Sequence, residues 1–387
     1  MGEPLDIEPL AGREHFPAIS KSTYLNAASV ALMYKGASEA AVDWQRDLAD
    51  NGTLNFDEAA EQNVFSNLHD VFARLIGAQP RDIAVGSSFT ELVASLAWAM
   101  MPCREQNIVG VDVVFPSTIY PWLRVSHTTG SDVRLLRTTD YYANQEELAG
   151  LIDDDTAVVA ISHVEFGSGQ RYDLRSLAEV AHSHGALLVV DATQSAGAIP
   201  IDVSRDGVDV LVTAGYKWLC GPFGAAMMYL APHLHTRFEP GLVGFRSNHN
   251  MWDLQADRIN YRDDAGRFEF GTMAYGCALG LGKSVEFILK LGTAAIFEHD
   301  LKLGKRLVDG LKPLGGRLLS PLDGKERSPI VSVRFPGFDS VAIAGFLKDQ
   351  GIVVSPRADF VRFSPHLYNS SADIDYALEV LARALGS

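Results

Sequence analysis

Cysteine is scarce in this chain. Its three cysteines in 387 residues make no disulfide framework and suit a reducing compartment. Basic residues are in deficit too: 33 Lys and Arg stand against 48 Asp and Glu, for a formal net charge of −15. No stretch concentrates Lys or Arg, which argues against a nucleic acid partner. No apolar run approaches the ~18 residues that a membrane span requires. Met1 to Ile7 are acidic and lack the basic-then-apolar pattern of a secretory leader. Cys103 and Cys277 keep no metal-ligand spacing with histidine, so no metal is expected. There is no internal repeat and no low-complexity segment. These absences point to a cytoplasmic chain of ordinary globular composition, 47% hydrophobic and 21% charged. Its length exceeds what one simple core accommodates, which predicts a large domain and a smaller one.

What is present is an alternation. Helical patterns cover 38–50, with Ser38 as a candidate N-cap, and 64–75, which stops at Gly77. Strand and helix then alternate from about residue 80 to 215: strands at 83–86, 108–114, 133–136, 157–161, 187–191 and 210–214, helices from 91, at 144–152 and at 174–183. Such alternation predicts a mainly parallel α/β sheet. Residues 241–266, rich in Gly and polar residues, form a long loop. Helices follow at 275–291 and 296–314, and the tail alternates again, ending in a helix over 374–385. In parallel sheets ligands gather at the C-terminal ends of strands. A serine turn (Ser87, Ser88, Phe89, Thr90), Phe115, His163 with Glu165, Asp191 and Lys217 all stand at such ends.

Lys217 organises the set. It closes the apolar run 210–214 with no acidic neighbour, between stretches that read as buried. A buried amine is costly unless its charge is paired, shifted or consumed, and a desolvated lysine is a nucleophile suited to a Schiff base. Upstream, Leu187-Leu188-Val189-Val190 ends in the carboxylate of Asp191. Pyridoxal phosphate chemistry needs this pair, an amine for the aldehyde and a carboxylate for the pyridine nitrogen. The serine turn opens a helix, whose N-terminal N–H groups and dipole suit a phosphate. Alone, that turn is more often an ordinary N-cap, and Phe115 is more often core.

Three segments together resemble the class V aminotransferases, fold-type I pyridoxal phosphate enzymes that include cysteine desulfurases, kynureninase and isopenicillin N epimerase. They are Val190-Asp191-Ala192-Thr193-Gln194-Ser195-Ala196-Gly197, Gly215-Tyr216-Lys217-Trp218-Leu219 and Arg267-Phe268-Glu269-Phe270-Gly271-Thr272. The resemblance spans roughly 20–385. It implies that Lys217 carries the cofactor as an internal aldimine and moves protons at Cα, and that Asp191 keeps the pyridine nitrogen protonated. It implies that Gln194 donates to the ring phenolate and that Phe115 stacks on the ring, as in kynureninase. Ser88, Phe89, Thr90 and Tyr216 would hold the phosphate, and Thr272 would reach the phosphate of a neighbouring subunit, which implies a homodimer. Arg362 would fork onto the substrate carboxylate, with Arg357 a second candidate. Asn26 and Glu165 are further candidate substrate contacts.

Several positions depart from the family pattern. Ala214 stands where many relatives carry a phosphate-binding serine, so either Thr213 is the substitute or the contact is absent. The loop 358–361 is short and holds no cysteine, which disfavours a persulfide-relaying desulfurase. Cys220 reads as a small buried residue and His163 as a packed one. Arg246, His249 and Trp252 in the long loop read either as side-chain selectors or as dimer surface.

The resemblance therefore predicts a large cofactor domain over 25–274 with a mainly parallel sheet flanked by helices. An N-terminal arm over 1–24 and a linking helix with a smaller α/β domain over 275–387 complete it. The implied function is amino-acid chemistry of the aminotransferase or C–S lyase kind, with epimerisation and a non-catalytic scaffold as alternatives. A nucleotide-binding protein ranks last, because neither GxxxxGK[ST] nor GxGxxG occupies the strand–helix junction.

Overall fold

A computed structural model describes residues 6–386; residues 1–5, the start of the expected arm, and residue 387 lie outside the described residues. The rest of the arm lies along the second domain. Leu10 N–H donates to the Leu367 carbonyl at 2.8 Å, and β1 (Thr23–Tyr24) pairs in parallel with Ile352 and Val353.

Seven strands build the large sheet: β2 (Ile83–Gly86), β3 (Asn107–Val111), β4 (Asp132–Leu136), β5 (Thr156–Ser162), β6 (Leu187–Asp191), β7 (Val210–Ala214) and β8 (Ala226–Leu230), in spatial order 2-8-7-6-5-3-4. Neighbours are parallel except at β8, which runs antiparallel to both β7 and β2. Every residue of β6, β7 and β8 is buried, as expected of strands covered on both faces. The helices of this domain are α1 (Lys35–Asn51), α2 (Glu58–Gln62), α3 (Ser66–Ile76), α4 (Phe89–Met100), α5 (Pro116–Thr129), α6 (Gln145–Ala149), α7 (Leu174–Ser183) and α8 (Tyr275–Leu291). α7 is capped by Asp173, which accepts from Ser176 N–H, and α3 ends on a left-handed Gly77. α1 starts three residues earlier than expected, from Tyr34 and without a side-chain cap, so Ser38 lies inside it. α5 is the element that the sequence pattern hid, because it carries two prolines. Pro116 occupies the first position, where its fixed φ suits a helix, and Pro121 removes one internal hydrogen bond without ending it.

The chain order reverses between β3 and β5, since β4 lies to one side of β3 and β5, β6 and β7 to the other. A doubly wound sheet opens its ligand crevice at that reversal, beyond the C-terminal strand ends. The register places Ser162 beside Asp191 and Asp191 beside Val212, so the ends of β5, β6 and β7 lie level.

The smaller domain holds β9 (Arg317–Leu318), β10 (Val331–Arg334), β11 (Ile352–Val353), β12 (Ser355–Arg357) and β13 (Phe360–Phe363), with α9 (Thr293–Leu311), α10 (Ser340–Asp349) and α11 (Ser371–Ala384). Its four-stranded sheet, ordered 12-13-10-9, is antiparallel throughout. Its separate core gathers Leu303, Leu307, Val331, Leu347, Phe363 and Leu381, and takes in Leu25 from the arm. The apolar face of α8 (Leu281, Val285, Ile288) belongs instead to the core of the large domain. The helix expected to link the domains thus packs with the first, and the second core starts at α9.

Two contacts between the domains shape the crevice. Ser332, Ser320 and Ser328 of the smaller domain donate their hydroxyls to the successive carbonyls of Gly167, Ser168 and Gly169, just after β5. Gly169 has φ +76°, and a Cβ there would meet Ile330 at 2.7 Å, so this clamp requires glycine. Deeper in, Asp300 of α9 accepts from Nδ1 of both His299 and His366, at 2.9 and 2.8 Å. His366 Nε2 donates onward to the Trp218 carbonyl at 3.0 Å, beside Lys217.

Candidate active site

Lys217 sits in a tight turn after β7. Gly221 N–H returns to the Gly215 carbonyl at 2.9 Å, and Cys220 N–H to the Lys217 carbonyl at 2.7 Å, with Cys220 at φ +52°. Leu281 of α8 packs so closely on Gly215 and Gly221 that a Cβ at either would fall within 2.7 Å of it. Trp218 is fully buried and donates Nε1–H to Gln194 Oε1 at 2.8 Å. The turn is therefore pinned by α8 below, by His366 through the Trp218 carbonyl and by Gln194 through its indole. The Lys217 side chain is 7% exposed and has no hydrogen bond or ion pair among the described residues. Its Nζ lies 5.4 Å from the Phe115 ring centre and 5.8 Å from that of Tyr216. Burial lowers its pKa to about 8, while the Asp191 charge pulls the other way and Arg362 and Arg357 add to the lowering.

Asp191, the last residue of β6, is buried in the same cleft. Its Oδ2 accepts from Thr118 Oγ1 at 2.9 Å and its Oδ1 from Thr193 N–H at 2.8 Å. Burial raises its pKa, and the contacts from Thr193, Lys217 and Thr118 oppose that rise. The carboxylate is held in one orientation with room for a cationic partner. Thr118 belongs to α5, so sequence reasoning did not find it.

The other end of the crevice is lined by hydroxyls and a helix N-terminus. Ser88 caps α4, accepting from Glu91 N–H at 3.2 Å, which sets Phe89 and Thr90 in the first turn with free N–H groups. Thr90 Oγ1 donates to Ser117 Oγ at 3.0 Å, joining the starts of α4 and α5. Tyr216 closes this side, stacked on Phe223 with ring centres 4.4 Å apart. Ser88, Phe89, Thr90, Phe115, Asp191, Gln194, Tyr216 and Lys217 thus line one cleft with Ala214, together with Ser117, Ser162, Phe166 and Thr193, which the sequence reading did not single out. Phe115 and Phe166 meet edge to face at 5.5 Å and form an apolar wall. Gln194 Nε2 donates to the Ala28 carbonyl at 3.0 Å, leaving its second N–H for the cleft.

Other expected positions lie elsewhere. Thr213 is buried on the opposite face of β7 from Ala214, with its hydroxyl on the Ala214 carbonyl at 3.3 Å, so it does not replace the missing serine. Thr193 lines the cleft instead. Glu165 is fully buried beneath the cleft and accepts from Tyr172 OH at 3.1 Å; burial pushes its pKa up to about 8. It is no surface contact for substrate. Asn26 bridges to Ser364 and its Oδ1 is buried without a partner, outside the cleft lining. Arg246 is buried over the Phe65 ring and donates Nη1–H to the Glu61 carbonyl, so it cannot select side chains at Lys217. His249 lines a different pocket. Thr272 is exposed beside Tyr275 and Trp44, on a separate surface groove of the same chain.

Arg362 and Arg357 are not part of the cleft lining itself but lie close enough for their charges to act on Lys217. Arg362, on β13 and 1% exposed, donates to the Phe166 carbonyl and to Ser29 Oγ, both at 2.6 Å. Arg357, at the end of β12, donates to the same Ser29 Oγ at 3.0 Å. Burial and the charge of Arg357 lower the Arg362 pKa to about 9.

This donor set fits pyridoxal phosphate: a buried amine without an ion pair among the described residues, a buried and oriented carboxylate, a free amide N–H on Gln194, an aromatic wall and a hydroxyl-rich helix N-terminus, all lining one cleft.

The aminotransferase class-V family model matches residues 23–376. An uncharacterized aminotransferase of Bacillus subtilis, YcbU, is 28% identical over 370 residues, covering 96% of each chain. A probable cysteine desulfurase of Halobacterium salinarum is 25% identical, covering 96% of this chain and 95% of its own. Among solved structures, the apo cysteine desulfurase of Thermococcus onnurineus superposes with a TM-score of 0.88 at 25% identity, covering 97% of both chains. A cystine C–S lyase complexed with cysteine persulfide shares the fold, with a TM-score of 0.85 at 24% identity over 95% of this chain and 99% of its own.

Proposed function

The chain belongs to the class V aminotransferase family, and from that premise we propose how its own residues serve a pyridoxal phosphate-dependent reaction on an α-amino acid, of the aminotransferase or C–S lyase kind. The observation that carries the assignment of residues is the pair Lys217 and Asp191, both buried and lining one cleft, the amine without a partner of its own among the described residues. Bound pyridoxal phosphate supplies an electron sink for charge at the substrate Cα. Lys217 holds the cofactor covalently and, once released, moves a proton at Cα; an amine shifted to about 8 is well matched to that task near neutral pH. Asp191, fixed by Thr118 and Thr193, holds the pyridine nitrogen in its protonated form. Ser88, Thr90, Ser117 and the first N–H groups of α4 bind the phosphate. Gln194 orients the ring through its free N–H, and Phe115 packs on the ring face. Arg362 binds the substrate carboxylate.

The wall of Phe115 and Phe166 offers no group to move a second proton, which favours transamination or lyase chemistry over epimerisation. The hairpin between β12 and β13 contains no cysteine, and Cys220 is buried with its thiol pKa pushed up by burial, which supports direct product release rather than sulfur relay through the protein. Thr272, exposed and off its own cleft, supports a homodimer in which each subunit completes the other's phosphate site. Family membership and three free thiols support a cytoplasmic enzyme.

The test is the visible spectrum of the purified protein with a panel of amino acids. A band that is absent in Lys217→Ala and shifts with substrate supports these roles; a keto acid with the amino form of the cofactor identifies transamination, and pyruvate with a sulfur product identifies the lyase. A band unchanged in Lys217→Ala sinks the assignment of the lysine.

A further inference from the structure

We propose that a second pocket, formed by His163, Arg171, the first turn of α7 and Lys325, binds a small phosphate-bearing anion. This pocket is separate from the cleft of Lys217. Ser162, at the end of β5, lines the cleft, and the next residue, His163, lines the second pocket instead. A volume of about 290 Å³ suits a small ligand.

The first observation is a buried imidazole. His163 is 6% exposed, and its Nδ1 is buried without a hydrogen-bond partner. Buried polar groups are nearly always paired, so an unpaired one calls for a partner that the chain does not supply. Burial and the charge of Arg171 lower the His163 pKa to about 3, with Asp206 opposing. The ring is therefore neutral, with one N–H donor and one acceptor nitrogen.

Charge sets the sign of the missing partner. In a chain of formal net charge −15, four basic side chains meet here: Arg171, Arg175, Arg205 and Lys325. Asp206 matches Arg205 through two bonds, at 2.8 and 3.0 Å, and Glu179 matches Arg175 at 3.1 Å. The other acid of the lining, Asp173, caps α7 by accepting from Ser176 N–H at 3.2 Å. Arg171 and Lys325 are left without an ion pair among the described residues. Arg171 is half-buried, and burial lowers its pKa against the opposing charge of Asp173. Its Nε and Nη2 donate to the Lys325 carbonyl at 3.1 and 2.7 Å, which leaves Nη1 for a ligand. Leu174 and Arg175 open the ten-residue α7, where the first N–H groups have no helical partner and the dipole favours an anion. A carboxylate would balance one of the two free cations. A phosphate dianion balances both, and its oxygens accept from the guanidinium, the ammonium, the imidazole and the helix end together.

The pocket also joins the two domains and reaches the cleft through the backbone. Arg171 follows β5, yet its N–H donates to the Glu326 carbonyl of the smaller domain at 2.8 Å. An anion held between Arg171 and Lys325 would bridge the same two segments. His163 N–H donates to the Asp191 carbonyl at 2.8 Å, so a ligand on His163 lies one backbone hydrogen bond from the residue proposed to hold the pyridine nitrogen.

The experiment is calorimetry on the protein loaded with pyridoxal phosphate, titrated with inorganic phosphate and, separately, with glycerol 3-phosphate, the ionic strength held constant with chloride. The expected result is about one phosphate per chain with a dissociation constant of about 1 mM or below. Lys325→Ala, which removes an exposed side chain, should weaken binding about three- to ten-fold, and Arg171→Gln at least about ten-fold. Arg171→Lys should recover part of that loss, and thermal melts confirm that each variant is folded. Tighter binding of one ligand supports the site and names its source, free phosphate or a monoester. Heats equal to the chloride blank overturn the proposal, as does binding unchanged in both Lys325→Ala and Arg171→Gln. A repeat on cofactor-free protein separates the two pockets. The second pocket should keep its affinity with or without cofactor, whereas phosphate that binds only the cofactor-free protein belongs to the cleft and overturns the second site.

Discussion

At the scale of single residues, burial sets the chemistry. Lys217 loses solvent and gains no partner, so its amine is partly neutral near pH 8. Attack on the cofactor aldehyde needs that neutral form. Reconstitution of apoprotein with pyridoxal phosphate should therefore accelerate about ten-fold per pH unit below 8 and level off above pH 9. Stopped-flow absorbance checks this, and a flat profile from pH 6 to 9 would contradict a depressed lysine. Glu165 shows the opposite shift. Its ordinary value of 4.5 rises to about 8 on burial, so the folded state keeps a proton that the unfolded chain has released. The stability this confers is complete below pH 4.5 and is lost as the pH climbs through 8. Glu165→Gln, neutral at every pH, should unfold at higher urea than the wild type at pH 9, by about 2–4 kcal/mol, with little difference at pH 4.5. A constant difference between the two pH values would mean that Glu165 does not titrate there. These residues differ in how legible they were. Lys217 and Asp191 stood out because each ends an apolar run with a charge. Thr213 misled because strand alternation, invisible without the register, turns Ala214 and not Thr213 toward the cleft. Arg246 misled because a polar loop sequence does not reveal that its guanidinium folds back onto Phe65.

At the scale of elements, helix ends and one clamped loop carry the site. Ser88 is both the cap of α4 and part of the cleft lining. Ser88→Ala should cost ~1 kcal/mol of stability through the lost cap. It should also weaken cofactor retention, read as faster loss of the visible band on dilution; loss of stability without faster cofactor release would leave Ser88 a cap alone. The three-serine clamp on residues 167–169 fixes the wall that presents the Phe166 carbonyl to Arg362. Gly169→Ala combines a left-handed φ with a Cβ 2.7 Å from Ile330, and should destabilise the protein by about 1–3 kcal/mol in chemical denaturation. Sequence pattern located nearly every strand and most helices, because apolar periodicity and caps are local signals. It missed α5, where two prolines mask a helix that tertiary packing enforces, and with it Thr118 and Ser117.

At the scale of the whole molecule, Thr272 stands exposed and outside the cleft of its own chain. If Thr272 completes a partner's site, mixing two impaired variants should restore function. Dimers formed after co-refolding Lys217→Ala with Thr272→Arg should carry about one competent site per heterodimer, although each homodimer is impaired. Activity that stays at the level of the parents would place the whole site within a single chain.

The sequence alone determined the class of fold, the amine and carboxylate pair, and the serine turn, because each is written in contiguous residues: an apolar run, a charge at its end, a hydroxyl before a helix. Only the tertiary structure decided that Arg357 and Arg362 converge on one oxygen without an acid between them, that Thr118 and Thr193 orient Asp191, and that Glu165 is buried. Those facts depend on groups brought together from far along the chain, Ser29 with the two arginines and Thr118 with Asp191, and their energies depend on which groups exclude water and which face one another, quantities that no local pattern encodes.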